Sequence, residues 1–292
     1  MLILSLGMAV GAETSQAAFD SPKQALHALA SAVKSNDTGK VLSVLGPDAK
    51  DIVSTGDPVA DKQGRQRFVD AYNRHRSLML QSNGSVVVHL GAENWPFPIP
   101  IVKEGSKWHF DTTVGHQEVL NRRIGANELN AIKVCQAYVD AQREYYSEPR
   151  GEEGVIEYAG KIVSDTGKRN GLYWRVAAGE PVSPMGPLIA TAEAEGYQPG
   201  KKTGHGYHGY RFHILSAQGP NAPGGAYSYV INGHMVAGFA MIAYPLEYGK
   251  TGEMTYIVNQ NGVVYQKDLG DKTEDLAKAI QAYDPDSSWK KY

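Results

Sequence analysis

The chain has 292 residues, of which 42% are hydrophobic and 21% are charged, and its formal net charge is −2. This length suggests two domains, and the composition supports a sizeable core and argues against a wholly disordered chain. The near-neutral charge without long basic runs argues against a nucleic-acid partner, and no run of about 18 apolar residues predicts a membrane-spanning helix.

The first residues have the composition of an export signal. The apolar stretch MLILSLGMAVGA is followed by polar residues at positions 13–16, and small residues suit a cleavage site near residue 12 or residue 17. We predict a signal peptide over residues 1–17 and a periplasmic or secreted bacterial protein; a buried N-terminal strand or helix is the alternative. Export agrees with the low cysteine content, because an oxidising compartment disfavours unpaired reactive thiols. The only cysteine is Cys135, so no internal disulfide can form. Its apolar helical surroundings predict a buried thiol.

Three helices are predicted before the first strand. Ser21 and Pro22 are typical of a helix N-terminus, and an apolar stripe at helical spacing follows them. A short second helix covers residues 41–45. A third amphipathic run, over about residues 63–80, places four side chains on one face: Phe68, Tyr72, His75 and Met79.

A small sheet is predicted from residue 85. Residues 86–90 are rich in valine and predict a first strand. Residues 95–102 are predicted to form an edge strand interrupted by prolines, and residues 108–111 are predicted to form a further strand after a turn. Helices followed by a bent antiparallel sheet, over about residues 19–113, resemble the cone-shaped fold named after nuclear transport factor two, also called cystatin-like. Many proteins of this shape bind small molecules inside the cone, and many others are not enzymes. The resemblance therefore implies either role for this domain. We place this domain at residues 18–120.

Four ionisable residues lie where this sheet meets the next helix: His109, Asp111, His116 and Glu118. A general base requires a carboxylate or an imidazole at a cavity, and such groups line the cavity in cone-fold enzymes. These residues are therefore the enzymatic or ligand-binding candidates of the first domain. The alternative is that Asp111 caps the following turn and that His116 and Glu118 are surface residues.

Residues 121–146 give the strongest helix prediction in the chain. At 100° per residue, Asn130, Lys133 and Glu144 lie on a narrow polar arc, and apolar or aromatic side chains cover most of the remaining surface. Such a helix requires cover on more than one side. We therefore predict a spine helix that joins the two domains.

The second predicted domain, residues 121–292, contains this spine helix and an antiparallel sheet. A short helix is predicted at residues 188–195, and strands are predicted at residues 210–214, 226–231, 238–244, 253–258 and 263–267. The dipeptide Asn232-Gly233 and residues 259–262 are typical of hairpin turns. A closing helix is predicted from Asp271 to the residues before Pro285. The predicted fold class is α+β.

Longer segments carry two further resemblances. The stretch ANELNAIKVCQAYVDAQREYY, with GYRF, AYPLEYGKTG and TYIVNQNGVVYQ downstream, looks like the globular part of type IV pilins and pseudopilins, which implies a spine helix packed across an antiparallel sheet. The preceding residues, HQEVLNRRIG, depart from the pilin pattern because they are too polar for a bilayer. The segments WHFDTTVGHQEVLNRRIGANELNAI, APGGAYSYVINGHMVAGFAMIAYP and GVVYQKDLG resemble an exported bacterial family catalogued as domain of unknown function 2950, which implies no established activity.

Three histidines, His205, His208 and His213, lie close together in the sequence, with Tyr210 between them. Imidazoles bind zinc or copper, but this spacing matches no closed metal site. We therefore predict no metal ligands and treat the four residues as candidate binding residues on a partner-facing surface. The pattern G-x-G-x-x-G over residues 204–209 precedes a predicted strand instead of a helix, so no nucleotide cofactor is expected.

Together these features favour a non-catalytic exported envelope protein that binds another protein or a cell-surface component without a cofactor. One alternative is a small-ligand-binding or enzymatic cone that uses the region of His109 and Asp111. A second alternative is a weak periplasmic metal binder that uses the histidine cluster. The sequence leaves the oligomeric state open.

Overall fold

A computed structural model of the protein describes residues 16–151, 153–198 and 206–292. Within these residues the chain divides into two units. Unit 1 contains residues 16–54 and 64–118, and unit 2 contains residues 55–63 and the described part of residues 119–292. Residues 1–15 of the predicted signal peptide, and His205, lie outside the described residues.

Unit 1 begins with helix α1 (Pro22–Lys34), and the predicted N-cap is confirmed. The Ser21 Oγ accepts a hydrogen bond from the Gln24 N–H at 3.2 Å, and the Gln24 Oε1 accepts one from the Asp20 N–H at 3.0 Å. Helix α2 (Thr38–Leu45), a 3₁₀ turn (Pro47–Ala49) and the one-turn helix α3 (Lys50–Val53) follow. The apolar stripes of α1 and α2 are buried: Ala25, Leu26, Leu29, Ala30, Val33, Val41, Val44 and Leu45.

Helix α4 (Pro58–Arg74) is shorter than predicted, because Arg76–Leu80 forms strand β1 and not a continuation of the helix. Residues 58–63 of α4 belong to unit 2 and residues 64–74 to unit 1. The helical prediction through residue 80 is therefore wrong. Strand β1 pairs with a neighbouring strand, which satisfies its backbone hydrogen-bonding groups on that side. Leu78 and Leu80 point to the same face, since side chains alternate along a strand.

The sheet of unit 1 is antiparallel. Its strands are β1, β2 (Val86–Leu90), β3 (Trp95–Pro96), β4 (Ile101–Glu104) and β5 (Lys107–Phe110), in the order β1-β2-β4-β5, with β3 paired to β2. The prediction of one strand over residues 95–102 is wrong, because three prolines at positions 96, 98 and 100 lack the N–H groups that a continuous ladder needs. The inner face is packed with buried side chains from three strands: Val86, Val88, Leu90, Ile101 and Phe110.

Helix α5 (Thr112–Tyr145) begins nine residues before the predicted start at residue 121. The Asp111 Oδ1 accepts a hydrogen bond from the Val114 N–H at 3.2 Å, which caps the helix at this earlier position. Residues to Glu118 belong to unit 1 and the remainder to unit 2. Cys135, in the second part, is fully buried as predicted, and burial raises the pKa of its thiol to about 12.

Unit 2 packs α5 against an antiparallel sheet, and one hydrophobic core joins them. The elements after α5 are α6 (Gly186–Glu195), β6 (Tyr210–Leu215), β7 (Ala217–Gln218), β8 (Tyr227–Ser228), β9 (Val230–Ile231), β10 (His234–Met235), β11 (Ala240–Pro245), β12 (Met254–Asn259), β13 (Tyr265–Asp268), a 3₁₀ turn (Gly270–Lys272), α7 (Thr273–Ala279) and β14 (Lys290–Lys291). The strand order of the sheet is β14-β13-β12-β11-β6, and two short pairs, β7–β8 and β9–β10, lie outside it.

Most predicted elements of unit 2 are confirmed, including α6 and the hairpin at Asn232-Gly233, where φ is 51° and 88°. The closing helix ends at Ala279, and the last strand, β14, pairs with β13 beyond it. The α+β class is confirmed. None of the helices among the described residues is both long and apolar enough to cross a bilayer. The cone and pilin resemblances stay predictions.

Candidate functional site

The candidate histidine cluster in unit 2 is divided between different surroundings. His205 lies outside the described residues. His208 has a φ of 46° and its Nε2 lies 2.9 Å from the Glu195 Oε2. Its ring contacts the ring of Tyr207, with centroids 4.3 Å apart. Burial and the nearby Glu195 raise the pKa of Tyr207 to about 12.

Tyr210 and His213 differ from His208 and from each other. Tyr210 is fully buried and donates its O–H to the Met254 carbonyl oxygen at 2.9 Å, so its side chain is part of the core and not of a surface. His213 is exposed on β6. Among the described residues, no group of three or more His, Cys, Asp or Glu side chains is placed to hold a metal ion.

The four candidates around the first sheet also have separate roles in unit 1. The His109 Nδ1 lies 3.9 Å from the Glu104 Oε2, across the β4–β5 hairpin. The His116 Nε2 lies 2.8 Å from the Asp51 Oδ1, and both side chains are 29% exposed. Asp111 caps α5, which was the alternative interpretation. Glu118 is exposed.

The interior beside these candidates is packed with aromatic rings. Phe110 is fully buried, and its ring meets that of Phe97 edge to face at 6.2 Å. Phe97 also meets Phe68 edge to face, at 5.5 Å. The two histidines thus lie next to different carboxylates, Glu104 and Asp51. The contacts do not bring His109, Asp111, His116 and Glu118 to one point.

A different region of unit 1 is open, and it lies between α1 and β1. The register pairs Leu78 with Val88 and Leu80 with Val86. Directly paired residues of an antiparallel sheet point to the same face, so Leu78 and Leu80 face the same side as the buried valines of β2. Nevertheless Leu78 is 39% exposed and Leu80 is 70% exposed. The apolar inner face therefore continues onto β1, where the residues that the structure describes leave it exposed.

A groove of about 680 Å³, which we call the α1–β1 groove, lies beside this exposed face; Leu78 lines it, and Leu80 continues the apolar face beyond it along β1. Leu26 and Leu78 supply its apolar surface, and Ser77, which points to the other face of β1, also lines it. The groove therefore reaches the open edge of the strand. Its volume lies within the range of about 300–1,000 Å³ that is typical of ligand sites.

Two cations, Lys23 and Arg76, line the α1–β1 groove together with His27 and Tyr72, and none of the described residues that line it is a carboxylate. The Arg76 guanidinium lies 4.4 Å from the centre of the Tyr72 ring, and its Nη1 donates to the Tyr72 carbonyl oxygen at 3.1 Å. The cation–π contact and the hydrogen bond hold the side chain in place. The groove therefore combines an apolar surface with a positively charged one.

Sequence reasoning missed this groove because it assigned residues 76–80 to a helix. The signal was present in RSLML, where Arg76, Leu78 and Leu80 recur at a period of two, as on one face of a strand. The run of three apolar residues at its end fits a helix equally well. A strand of this length between short turns cannot be told from a helix end by its pattern alone.

Charged clusters also occur elsewhere in unit 2, among them one around His234 and one around Asp57. The His234 Nδ1 lies 3.0 Å from the Glu157 Oε2, and its Nε2 lies 3.2 Å from the Glu153 Oε2. Hydrogen bonding to Glu157 raises the pKa of His234 above its ordinary value of 6.5. In the second cluster, Asp57 is buried and accepts the Tyr197 O–H at 2.8 Å. Both clusters join loop segments to the body of the unit.

A family model described as "Protein of unknown function (DUF2950)" matches residues 16–292. No curated protein matches the chain, and no solved structure matches it.

Proposed function

The chain belongs to the DUF2950 family, whose function is unknown, and from this premise we propose that it is an exported, non-catalytic envelope protein that binds an extended segment of another protein. The segment would lie in the α1–β1 groove and add to the sheet beside β1. Recognition of this kind uses backbone hydrogen bonds for affinity and side-chain contacts for specificity.

The observation that carries the proposal is the uncovered inner face of β1. Leu78 and Leu80 continue the apolar face of β2 but remain exposed. Within the described residues, β1 pairs with β2 alone, so the backbone groups on its other side are open to a further strand. Burying one leucine side chain contributes about 1.5–3 kcal/mol. A strand that covers this face would gain both that burial and the open backbone groups.

Charge complementarity specifies the chemistry of the occupant. Lys23 and Arg76 line the groove, and no carboxylate among the described residues lines it. An approaching segment with acidic side chains neutralises both, whereas a basic segment is repelled. The favoured occupant is therefore an extended segment of another protein that alternates apolar and polar residues and carries an acidic side chain.

Short peptides test this binding. We expect one of two fluorescein-labelled, acetylated and amidated peptides, TLTLTET or TETLTLT, to bind the purified protein in fluorescence anisotropy. The two peptides place the acidic residue at either end, because the direction of the added strand is open. N-methylation of every second backbone nitrogen on the bonding edge should abolish binding, since it removes the N–H donors that a strand needs.

Substitutions on the two faces of β1 give a matched control. Leu78→Ser should weaken binding about 10-fold or more, which corresponds to about 1.4 kcal/mol. Met79→Ser should change the affinity far less, because Met79 points to the opposite face of β1, away from the leucine side chains of the bound peptide. Failure of both peptides to bind contradicts the proposal. Displacement of the peptide by citrate at equal concentration would instead identify a site for small anions.

Export is tested separately, in the native bacterium. Cell fractionation followed by N-terminal sequencing should find a chain that starts near residue 18, in the periplasm or the medium. A cytoplasmic protein that keeps residues 1–17 would contradict export and would leave the binding proposal unaffected.

A further inference from the structure

We propose that Lys23 and Arg76 form a carboxylate subsite that fixes where an acidic side chain must stand in the segment bound along β1. This inference rests on the proposed function and makes it more specific, because it names the side chain that the groove recognises and its position in the bound segment. The carboxylate is assigned to a glutamate or aspartate side chain of the partner.

The first argument is the position of the two cations. Lys23 lies in the first turn of α1 and Arg76 begins β1, yet both line the same groove. Arg76 is held by the Tyr72 ring at 4.4 Å and by one hydrogen bond from Nη1. A guanidinium has five N–H donors, so this anchoring leaves donors for a carboxylate. An anchored arginine also loses less side-chain freedom when it binds.

The second argument is the register of the strand. Arg76, Leu78 and Leu80 point to the same face of β1, because they pair with Leu90, Val88 and Val86 of β2. A strand added beside β1 places its own side chains opposite these residues in the same order. Its carboxylate therefore stands opposite Arg76, and its apolar residues stand two and four positions away, opposite Leu78 and Leu80.

The pattern read by the groove follows from this register. For an antiparallel segment it is apolar-x-apolar-x-acidic, and for a parallel segment it is acidic-x-apolar-x-apolar. A segment with the acidic residue shifted by one position directs its carboxylate to the opposite face of the sheet. The groove thus distinguishes segments of identical composition by the position of one charge.

The experiment keeps the protein unchanged in its first arm. If TLTLTET binds in fluorescence anisotropy, TLTLTQT should bind about 10-fold more weakly, and TLTLETT, with the charge shifted by one residue, should bind equally weakly. If TETLTLT is the binder, the equivalents are TQTLTLT and TTELTLT. Equal binding of all three peptides overturns the subsite but leaves the proposed function standing. Absence of binding by every peptide overturns both.

Charge reversal provides the second arm. Lys23→Glu and Arg76→Glu should each lower the affinity for the acidic peptide about 10-fold. Each should raise the affinity for the matching lysine peptide, TLTLTKT or TKTLTLT. Arg67→Glu, an exposed position of α4 outside the groove, is the matched control and should leave both affinities unchanged. Circular dichroism verifies that each variant is folded; because Lys23 is exposed, its variant remains informative if Arg76→Glu fails to fold.

A last comparison separates a side-chain carboxylate from a terminal one. The peptide TLTLT with a free C-terminal carboxylate should bind more weakly than TLTLTET. Equal or tighter binding of the shorter peptide would overturn the assignment to a side chain. Equal weakening of the acidic peptide by Arg67→Glu and by Arg76→Glu would show that only the general charge of the protein matters, which also overturns the subsite.

Discussion

The buried pair of Asp57 and Tyr197 allows a quantitative test of how unit 2 holds the start of α4. Asp57 is 1% exposed, and its Oδ1 accepts the N–H groups of Val59 and Ala60 at 3.1 and 3.0 Å. Its Oδ2 accepts the Tyr197 O–H at 2.8 Å. Burial, followed by the hydrogen bond to Asp57, raises the pKa of Tyr197 well above its ordinary value, so the hydroxyl remains a donor.

The contacts of Asp57 give the expected magnitudes. A hydrogen bond to a charged group contributes about 1.5–3 kcal/mol, and a helix N-cap contributes about 0.5–2 kcal/mol. Tyr197→Phe removes the hydrogen bond to Asp57 and leaves the N-cap in place; it also removes the hydroxyl oxygen that accepts the His208 N–H at 3.3 Å, and it should lower the free energy of unfolding by about 2 kcal/mol. Asp57→Ala removes both the hydrogen bond from Tyr197 and the N-cap, and it should lower the free energy of unfolding by about 3 kcal/mol. For a domain of about 150–250 residues, 2 kcal/mol corresponds to about 4–8 °C in Tm.

Urea denaturation and thermal unfolding, followed by circular dichroism, measure these changes. Tyr227→Phe is the matched control, because Tyr227 is exposed in β8, and it should change stability by less than about 0.5 kcal/mol. The double variant should be less destabilised than the sum of the single variants, since both remove one shared bond. A Tyr197→Phe effect no larger than that of Tyr227→Phe refutes the reasoning.

Three further predictions concern other sites. Protonated His234 binds two glutamates and has a raised pKa, so its stabilisation is complete below about pH 6.5 and is lost as the pH rises through the raised value; His234→Asn should remove this pH dependence from thermal unfolding curves. Gly115→Ala should destabilise the protein by about 1–3 kcal/mol, because a Cβ there lies 2.6–2.8 Å from Ile99 and the Pro98 carbonyl, whereas Gly125→Ala, with nothing within 4 Å, should stabilise α5 by up to about 1 kcal/mol. Cys135, buried and with a pKa of about 12, should react with iodoacetamide only after unfolding, and rapid labelling of the native protein would contradict this.

The elements that the sequence predicted correctly are those whose signal is local. The cap at Ser21 and the turn at Asn232-Gly233 depend on a few neighbouring residues, and both are confirmed. The start of α5 was missed because its cap, Asp111, precedes a stretch in which Gly115 weakens the helical pattern. There Gly115 is required for close packing against Ile99, a contact that depends on tertiary structure.

The candidate site could not be predicted because it depends on which faces are left uncovered. The sequence pattern places Leu78 and Leu80 among apolar residues but does not show whether a helix covers them. It also could not show that His116 contacts Asp51, which lies 65 residues earlier in the chain, whereas His109 contacts Glu104 across the adjacent hairpin. Conversely, the sequence pattern predicts a surface position for Tyr210, whereas its side chain is buried and its hydroxyl donates to the Met254 carbonyl oxygen; tyrosine occurs in cores and interfaces alike.

The two edges of the sheet in unit 1 explain why a different protein, and not a second copy, is the expected occupant. At β5 the backbone of Phe19 pairs with Trp108 through two hydrogen bonds of 2.8 Å, so that edge is covered. The β1 edge, RSLML, lacks the lysine or proline that commonly protects such strands.

If two copies of β1 paired in parallel, Arg76 would face Arg76, and like charges directly opposite each other are destabilising. If they paired antiparallel about Leu78, each Arg76 would face a leucine and remain without a counter-charge. An acidic segment satisfies both the apolar face and the cations, which neither arrangement of two copies does.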